Sequence, residues 1–272
     1  MKNLNGKVFV ITGAGNGVGR ALTLELLRQG AKVAALDISE AFLKETERVA
    51  KPNNKNLRTY ILDITHDEKV LAMPDLIEKG LGPIDGLINN AGIIQPFVKV
   101  MHLQNKDIDR VMRINFYGTL NMCRAFLPKL IQRPEANLVN ISSMGGFTPV
   151  PGQAVYGASK AAVKLLTEAL YAELKDTSVR VTVVFPGAIG TNITTNSGVD
   201  MNMSKAEAEK MAKSQKTLSP EKAAGMIVNL GVKQDRYRLV VGNDAKLLDK
   251  LSRLFPKFAT NMIAKAMKNL LK

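Results

Sequence analysis

Apolar residues in this chain fall into short, β-branched runs separated by longer stretches with helical spacing. Val8-Phe9-Val10-Ile11, Val33-Ala34-Ala35-Leu36, Thr59-Tyr60-Ile61-Leu62, Gly86-Leu87-Ile88, Asn137-Leu138-Val139-Asn140-Ile141, Val179-Arg180-Val181-Thr182-Val183-Val184 and Arg238-Leu239-Val240-Val241 read as seven strands. Between them the spacing predicts helices near 18–29, 40–49, 67–78, 106–132 and 153–175. The strands are apolar at odd and even positions alike, as in a sheet covered on both faces. Their alternation with helices implies parallel pairing through right-handed crossovers. The expected architecture is α/β, a doubly wound, mostly parallel seven-stranded sheet with helices on both faces. Such sheets bind ligands beyond the carboxyl ends of the strands, near the point where strand order reverses. Candidate chemistry therefore lies in the residues that end each strand.

Composition narrows the function classes. With 272 residues, 46% of them hydrophobic, the chain can build one large buried core and is not disordered. The net charge of +14 raises nucleic acid, membrane surfaces and acidic substrates as partners. No zinc-finger spacing and no basic run interleaved with aromatics is present, so nucleic acid is not expected. Cys123, the single cysteine, sits in the apolar run 122–127 and reads as a buried small hydrophobe. His66 and His102 lie far apart, so no metal site is expected. The apolar run at 7–11 is too short for a signal peptide and leads straight into Gly-rich sequence. No apolar run is long enough to cross a bilayer, and the expected compartment is the cytoplasm.

The strand ends carry a graded set of signals. The first strand runs into Thr12-Gly13-Ala14-Gly15-Asn16-Gly17-Val18-Gly19, opening a helix. Glycines there allow a tight turn and let backbone N–H groups approach a pyrophosphate. Asp37 ends the second strand, placed to accept from adenosine ribose hydroxyls and to repel a 2′-phosphate. The residue after it is Ile38, and Asn16 rather than a basic residue precedes Gly17; both favour NAD over NADP. Asp37 equally fits a cap for the next helix, as does Ser39. Asp63 and Ile64 end the third strand, where a carboxylate and an N–H suit an adenine ring. Asn89-Asn90-Ala91-Gly92 ends the fourth, and Ser142-Ser143 the fifth. Tyr156 and Lys160 follow on a helix, four apart and so on one face. A cation about 4 Å from the phenol, at an effective dielectric of about 20, is worth roughly 4 kcal/mol, or about three pKa units. The spacing fits a half-buried tyrosine beside a snorkelling lysine as well.

Together these residues resemble the short-chain dehydrogenase/reductase family in its single-domain, Rossmann-fold form, over about 6–242. Thr12 to Gly19 fit TGxxxGxG, Asn89 to Gly92 fit NNAG, Tyr156 and Lys160 fit YxxxK, and Pro186-Gly187 with Thr191 fits PGxxxT. Asn115 matches the family's active-site asparagine, and Ser143 has the serine's usual spacing to the tyrosine. No catalytic position departs from the pattern. The resemblance implies catalytic roles for Asn115, Ser143, Tyr156 and Lys160. Ser143 would bond the substrate oxygen and Tyr156 transfer the proton. Lys160 would lower the tyrosine pKa and bind the nicotinamide ribose, and Asn115 would hold a water linking Lys160 to solvent. NAD is the implied cofactor, held by Gly13, Asn16, Gly17, Val18, Gly19, Asp37, Asp63, Ile64, Asn90, Ala91, Gly92, Tyr156, Lys160, Pro186, Gly187, Ile189 and Thr191. A homodimer or homotetramer through the helices around Asn115 and Tyr156 is the implied assembly.

The substrate is less defined. The loop 187–217 belongs to the domain, and Met201, Met203 and Met211 within it suit either a flexible apolar lid or a surface helix packed on the domain. Met144, Phe147, Val150 and Pro151 are expected to form the opposite wall, with Ser143, Met144, Phe147 and Tyr156 meeting a hydrophobic alcohol or ketone such as a steroid. A 3-oxoacyl thioester reductase and a catalytically silent nucleotide-binding interaction protein are the alternatives. Residues 243–272 form a basic amphipathic extension, with Ala245, Leu248, Leu251, Leu254, Phe255, Phe258, Met262, Ala266, Met267, Leu270 and Leu271 at helical spacing among lysines. Its apolar stripe is expected to pack on its own domain or a neighbouring subunit, a weak peripheral membrane contact being the alternative.

Overall fold

The computed structural model describes residues 1–51, 54–199 and 217–267. Seven strands form one sheet: β1 (Val8–Thr12), β2 (Lys32–Asp37), β3 (Leu57–Ile61), β4 (Ile84–Asn89), β5 (Ala136–Ile141), β6 (Val179–Pro186) and β7 (Arg238–Val241). Their order is β3-β2-β1-β4-β5-β6-β7, and every pairing is parallel. The order reverses between β1 and β4, so a crevice opens beyond their carboxyl ends. The third strand stops at Ile61, two residues short of Asp63, which sits in the following turn.

Alternation along β1 shows why both parities are apolar. Phe9 and Ile11 belong to one buried cluster, Val8 and Val10 to the other. The first cluster is closed by α1 (Gly17–Arg28) through Leu22 and Leu26, and by Ala223 and Ala224 from a short later helix. The second is closed by α3 (Asp67–Leu81), α5 (Thr119–Ile131) and α6 (Ala154–Glu173) through Ile77, Phe126 and Leu170. Phe9, Phe126 and Phe185 are fully buried, each worth about 1.5–3 kcal/mol of apolar burial. Phe9 needs Gly86 opposite it, because a Cβ there would lie 2.3 Å from its ring. Helix α2 (Glu40–Val49) has the bounds the spacing predicts, capped by Ser39, whose Oγ accepts from Phe42 N.

The single long helix expected over 106–132 is interrupted. It consists of α4 (Asn105–Met112), a π-helical turn (Arg113–Gly118) and α5. Thr119 Oγ1 donates to the Asn115 carbonyl, and Gly118 is pressed against Ile64, so the widened turn is held from two sides. Such turns cluster at functional sites. Beyond α7 (Ile193–Asn196), the chain is described again through α8 (Pro220–Met226) and a second π-helical turn (Ile227–Lys233) before β7.

The C-terminal extension forms α9 (Asn243–Leu254) and α10 (Pro256–Ala266). It is tied to the sheet by a bidentate Arg238–Asp249 pair at 2.8 Å and by Asp244, which accepts from Ala188 N. Ala245, Ala259 and Ile263 are buried, whereas Leu254, Phe255 and Phe258 are exposed. The stripe therefore packs on its own domain only in part. Met201, Met203, Met211, Leu270 and Leu271 lie outside the described residues. Among the described residues no helix is long and apolar enough to cross a membrane, and no cluster of potential metal ligands occurs.

Candidate active site

The glycine turn between β1 and α1 builds one end of the site. Gly13 and Gly17 have φ of +63° and +51°, which side-chain-bearing residues rarely adopt. A Cβ on Gly19 would lie 2.0 Å from Gly13 O, so α1 can approach the turn only without one. Asn16 caps the helix by accepting from Gly17 N, and the first turn of α1 carries no acidic residue. An anion at that N-terminus meets N–H groups and no carboxylate from the helix's own first turn. Two residues outside the expected set hold the turn in place. Thr12 Oγ1 accepts from Asn90 N and Ala91 N, which joins β1 to the end of β4. Arg20 donates to Gly15 O and Thr46 Oγ1, which occupies its guanidinium behind the turn. Asn90 acts within the same frame, its amide donating to Thr12 O and Gly13 O.

A cavity of about 520 Å³ opens along this edge. It brings together Gly13, Asn16, Gly17, Val18, Asp37, Asp63, Ile64, Asn90, Ala91, Gly92 and Thr191 from the expected cofactor set. Asp37 accepts from Gly15 N and from Ser39 N, both at 2.9 Å, one on each oxygen. Each carboxylate oxygen retains acceptor capacity toward the cavity. Asp63 turns toward its own loop, accepting from Thr65 N and Oγ1. Ile38, Phe42, Ile114, Ile193 and Arg110 line the cavity as well. Sequence reasoning did not assign them, because loop and helix residues converge there only after folding.

The second end of the site lies where β5 meets α6. Ser143 Oγ accepts from Gly145 N at 3.0 Å, leaving its own proton free to donate. Burial of the Tyr156 ring holds its phenol above its ordinary value, a rise that the nearby Ser143 hydroxyl only partly offsets. Burial pushes Lys160 down to about 8, and its ammonium donates to Ile141 O at 3.0 Å. The ammonium therefore rests on the end of β5. Gly92 lies against both Lys160 Nζ and Asn115 Oδ1: a Cβ there would approach them to 3.0 and 3.2 Å. Asn115 is fully buried, its side chain bridging Ile93 N, Ile93 O and Ser159 Oγ, all at 2.9 Å.

Gln95, absent from the expected set, anchors this end. Its Oε1 accepts from Val155 N at 2.8 Å and Tyr156 N at 3.0 Å, and its Nε2 donates to Gly152 O. It supplies the cap that Gln153, at the α6 N-cap position, does not. No signal in the sequence marked it, because its burial and its backbone partners are set only by folding.

The segment after β6 closes the crevice. Thr191 lies against Gly17, where a Cβ would come within 3.3 Å of its Cγ2, and both line the cavity. Pro186 ends β6, Gly187 N donates to Val241 O, and Ile189 pairs with Leu218. Phe147 is drawn elsewhere: it packs edge-on against Phe185 at 5.3 Å, with the Arg238 guanidinium above both rings. Met144 stays in the short turn that follows Ser143.

The family described as short chain dehydrogenase matches residues 7–202. SadH of Mycobacterium tuberculosis, an oxidoreductase by name, is 39% identical over 267 residues, 97% of this chain and 96% of that protein. The 3-oxoacyl-[acyl-carrier-protein] reductase FabG of Thermotoga maritima is 36% identical over 191 residues, covering 70% of this chain and 77% of the reductase. Among solved structures, a short chain dehydrogenase/reductase of Burkholderia phymatum in complex with NAD has a TM-score of 0.82 at 25% identity, covering 93% of this chain and 96% of its own. A short chain dehydrogenase of Burkholderia cenocepacia in complex with NADP has a TM-score of 0.79 at 25% identity, covering 97% and 99%.

Proposed function

The chain belongs to the short-chain dehydrogenase/reductase family, and from that premise we propose that it is an NAD-dependent enzyme acting on a hydrophobic secondary alcohol or ketone. When bound, the nicotinamide supplies or accepts the hydride, and the protein supplies position and proton transfer. The glycine turn, the N-terminus of α1 and Asp37 suit a dinucleotide: the turn is open to close backbone approach, the helix end is free of acid, and the carboxylate has acceptor capacity left. A ribose with free hydroxyls satisfies that carboxylate; a 2′-phosphate is repelled by it. Arg20 donates only to neutral groups, Gly15 O, Thr46 Oγ1 and Phe42 O, and keeps its charge beside the turn, so the preference for NAD rests on Asp37.

The observation that carries the chemical reading is that the Tyr156 ring and Ser143 Oγ both lie against Gly145, where a Cβ would meet them at 3.4 and 3.5 Å, with Lys160 and Asn115 both lying against Gly92. Ser143, already accepting from Gly145 N, donates to the substrate oxygen and steadies charge developing there. Tyr156 gives its proton to that oxygen in reduction and takes one from the hydroxyl in oxidation. Burial keeps the phenol protonated at neutral pH, so the site stands ready as a proton donor. Lys160, with a pKa near 8, exchanges a proton close to neutrality and is the group through which Tyr156 is recharged. Asn115, clamped to Ile93 and Ser159, holds the turn beside it.

Residues 1–242 are the dehydrogenase unit in this reading, 243–272 an extension, and a homo-oligomer the working form. A 3-oxoacyl thioester reductase is the competing reading, favoured by the likeness to FabG; the acidic Asp37 speaks against it, since biosynthetic reductases of the family usually take NADPH. Turnover of secondary alcohols, steroids and 3-oxoacyl thioesters with both cofactors decides between them. NAD-linked turnover of an apolar alcohol that disappears in Tyr156→Phe, with NADH binding retained, is the expected result. Full turnover by that variant would remove Tyr156 from its role, and strict NADPH use on thioesters would favour the reductase.

A further inference from the structure

The C-terminal helices α9 and α10 leave several large apolar side chains in water. Leu254 is 71% exposed, Phe255 60% and Phe258 59%, with Leu247 and Met262 exposed beside them. Leu247 and Leu254 lie seven apart on α9, and Phe258 and Met262 four apart on α10, so each pair shares a face. Cations lie on those same faces. Lys250 falls between Leu247 and Leu254, Lys265 one turn beyond Met262, and Lys246 and Lys257 flank them. None of these four lysines forms an ion pair among the described residues, whereas the acids nearby are engaged: Asp249 with Arg238 and Arg253, Asp244 with Ala188 N.

We propose that this face of α9 and α10 docks on an anionic phospholipid bilayer, lying in the plane of the interface. The apolar side chains enter the acyl boundary, and the lysines extend to the phosphates. Neither helix is long enough to span, which fits a surface position. A second copy of the chain is a poorer occupant, because apposing two such faces brings Lys250 and Lys257 of each copy together without acids to pair them. None of the residues of this face lines the nucleotide cavity. The inference is independent of the cofactor and substrate assigned above.

Flotation of the full-length protein with phosphatidylcholine vesicles, with and without 30% phosphatidylglycerol, tests it. Binding is expected to the anionic vesicles, to fall with added salt, and to weaken about 25-fold in Lys250→Gln/Lys257→Gln, roughly fivefold per cation near a leaflet. Leu254→Ser/Phe258→Ser is expected to lose binding while all the lysines remain. Thermal unfolding and NADH binding check that each variant folds; if the apolar variant does not, the lysine variant alone decides. Equal or no binding to the two vesicle types, or lysine variants that bind like the wild type, overturns the proposal. Loss of an oligomer in the apolar variant, seen by light scattering without vesicle binding by the wild type, assigns the face to a second copy instead.

Discussion

Replacing Gln95 by leucine tests how the proton-transferring tyrosine is held. The glutamine side chain is buried at 0% exposure and makes three hydrogen bonds: from Val155 N, from Tyr156 N, and to Gly152 O. Leucine has a similar volume and none of this capacity. At about 1 kcal/mol net per hydrogen bond, the loss is about 3 kcal/mol, and more if the orphaned N–H groups find no water. Urea denaturation reads that loss as a lower midpoint at unchanged slope. Gln95 is not among the cavity-lining residues, so NADH affinity should stay near wild type while kcat falls. Gln95→Glu keeps both acceptor contacts, but its buried carboxylate faces Gly152 O, so its stability should recover only as the pH falls and the carboxyl is protonated, when it can donate to Gly152 O again. A Gln95→Leu protein less than about 1 kcal/mol destabilised, with wild-type turnover, refutes the idea that this side chain caps α6 and fixes Tyr156.

Other perturbations probe the remaining elements. Asp37→Arg should move the NADP-to-NAD ratio of kcat/KM by about tenfold or more, the worth of one charge contact of about 1.4 kcal/mol; an unchanged ratio would show that another group discriminates. Gly19→Ala places a Cβ 2.0 Å from Gly13 O, so NADH binding should be lost and stability should fall by about 1–3 kcal/mol, as for other overpacked sites. Cys123 is buried and its thiol is pushed up to about 12, chiefly by desolvation. The reactive thiolate is therefore withheld until pH approaches that value, and at pH 8 about one thiol in ten thousand is ionised. A colourimetric thiol reagent should react with the folded protein only very slowly at pH 8, and promptly once guanidinium unfolds it.

Much of this was legible before folding. The helix at 40–49 and the strand at 238–241 have the predicted bounds, because their periodicity and flanking turn residues are local properties. The glycine turn was legible for the same reason: positive φ and close backbone approach demand glycine wherever they occur. The cavity at that turn gathers residues from four strand ends, as their positions in the alternation implied. The interruption of the helix around Asn115 was not legible, since its contacts with Ile64 and Ile93 come from separate parts of the chain. The roles of Gln95 and Thr12 escaped for a related reason: each acts through backbone groups of a distant segment, and residue type does not reveal such a partner.

The sequence by itself determined the alternation of elements, the two-sided burial of the sheet and the chemistry available at its carboxyl edge, because these follow from local periodicity and from what a glycine or a carboxylate can do. Tertiary structure decided which groups meet. It set Lys160 on the carbonyl of Ile141, turned Phe147 toward Phe185 and Arg238, and left Leu254, Phe255 and Phe258 in water while burying Ala259 and Ile263 from the same extension. Spacing gives a helix an apolar face, but whether that face finds cover depends on the room that the other elements leave, and packing settles this only when the whole chain is folded.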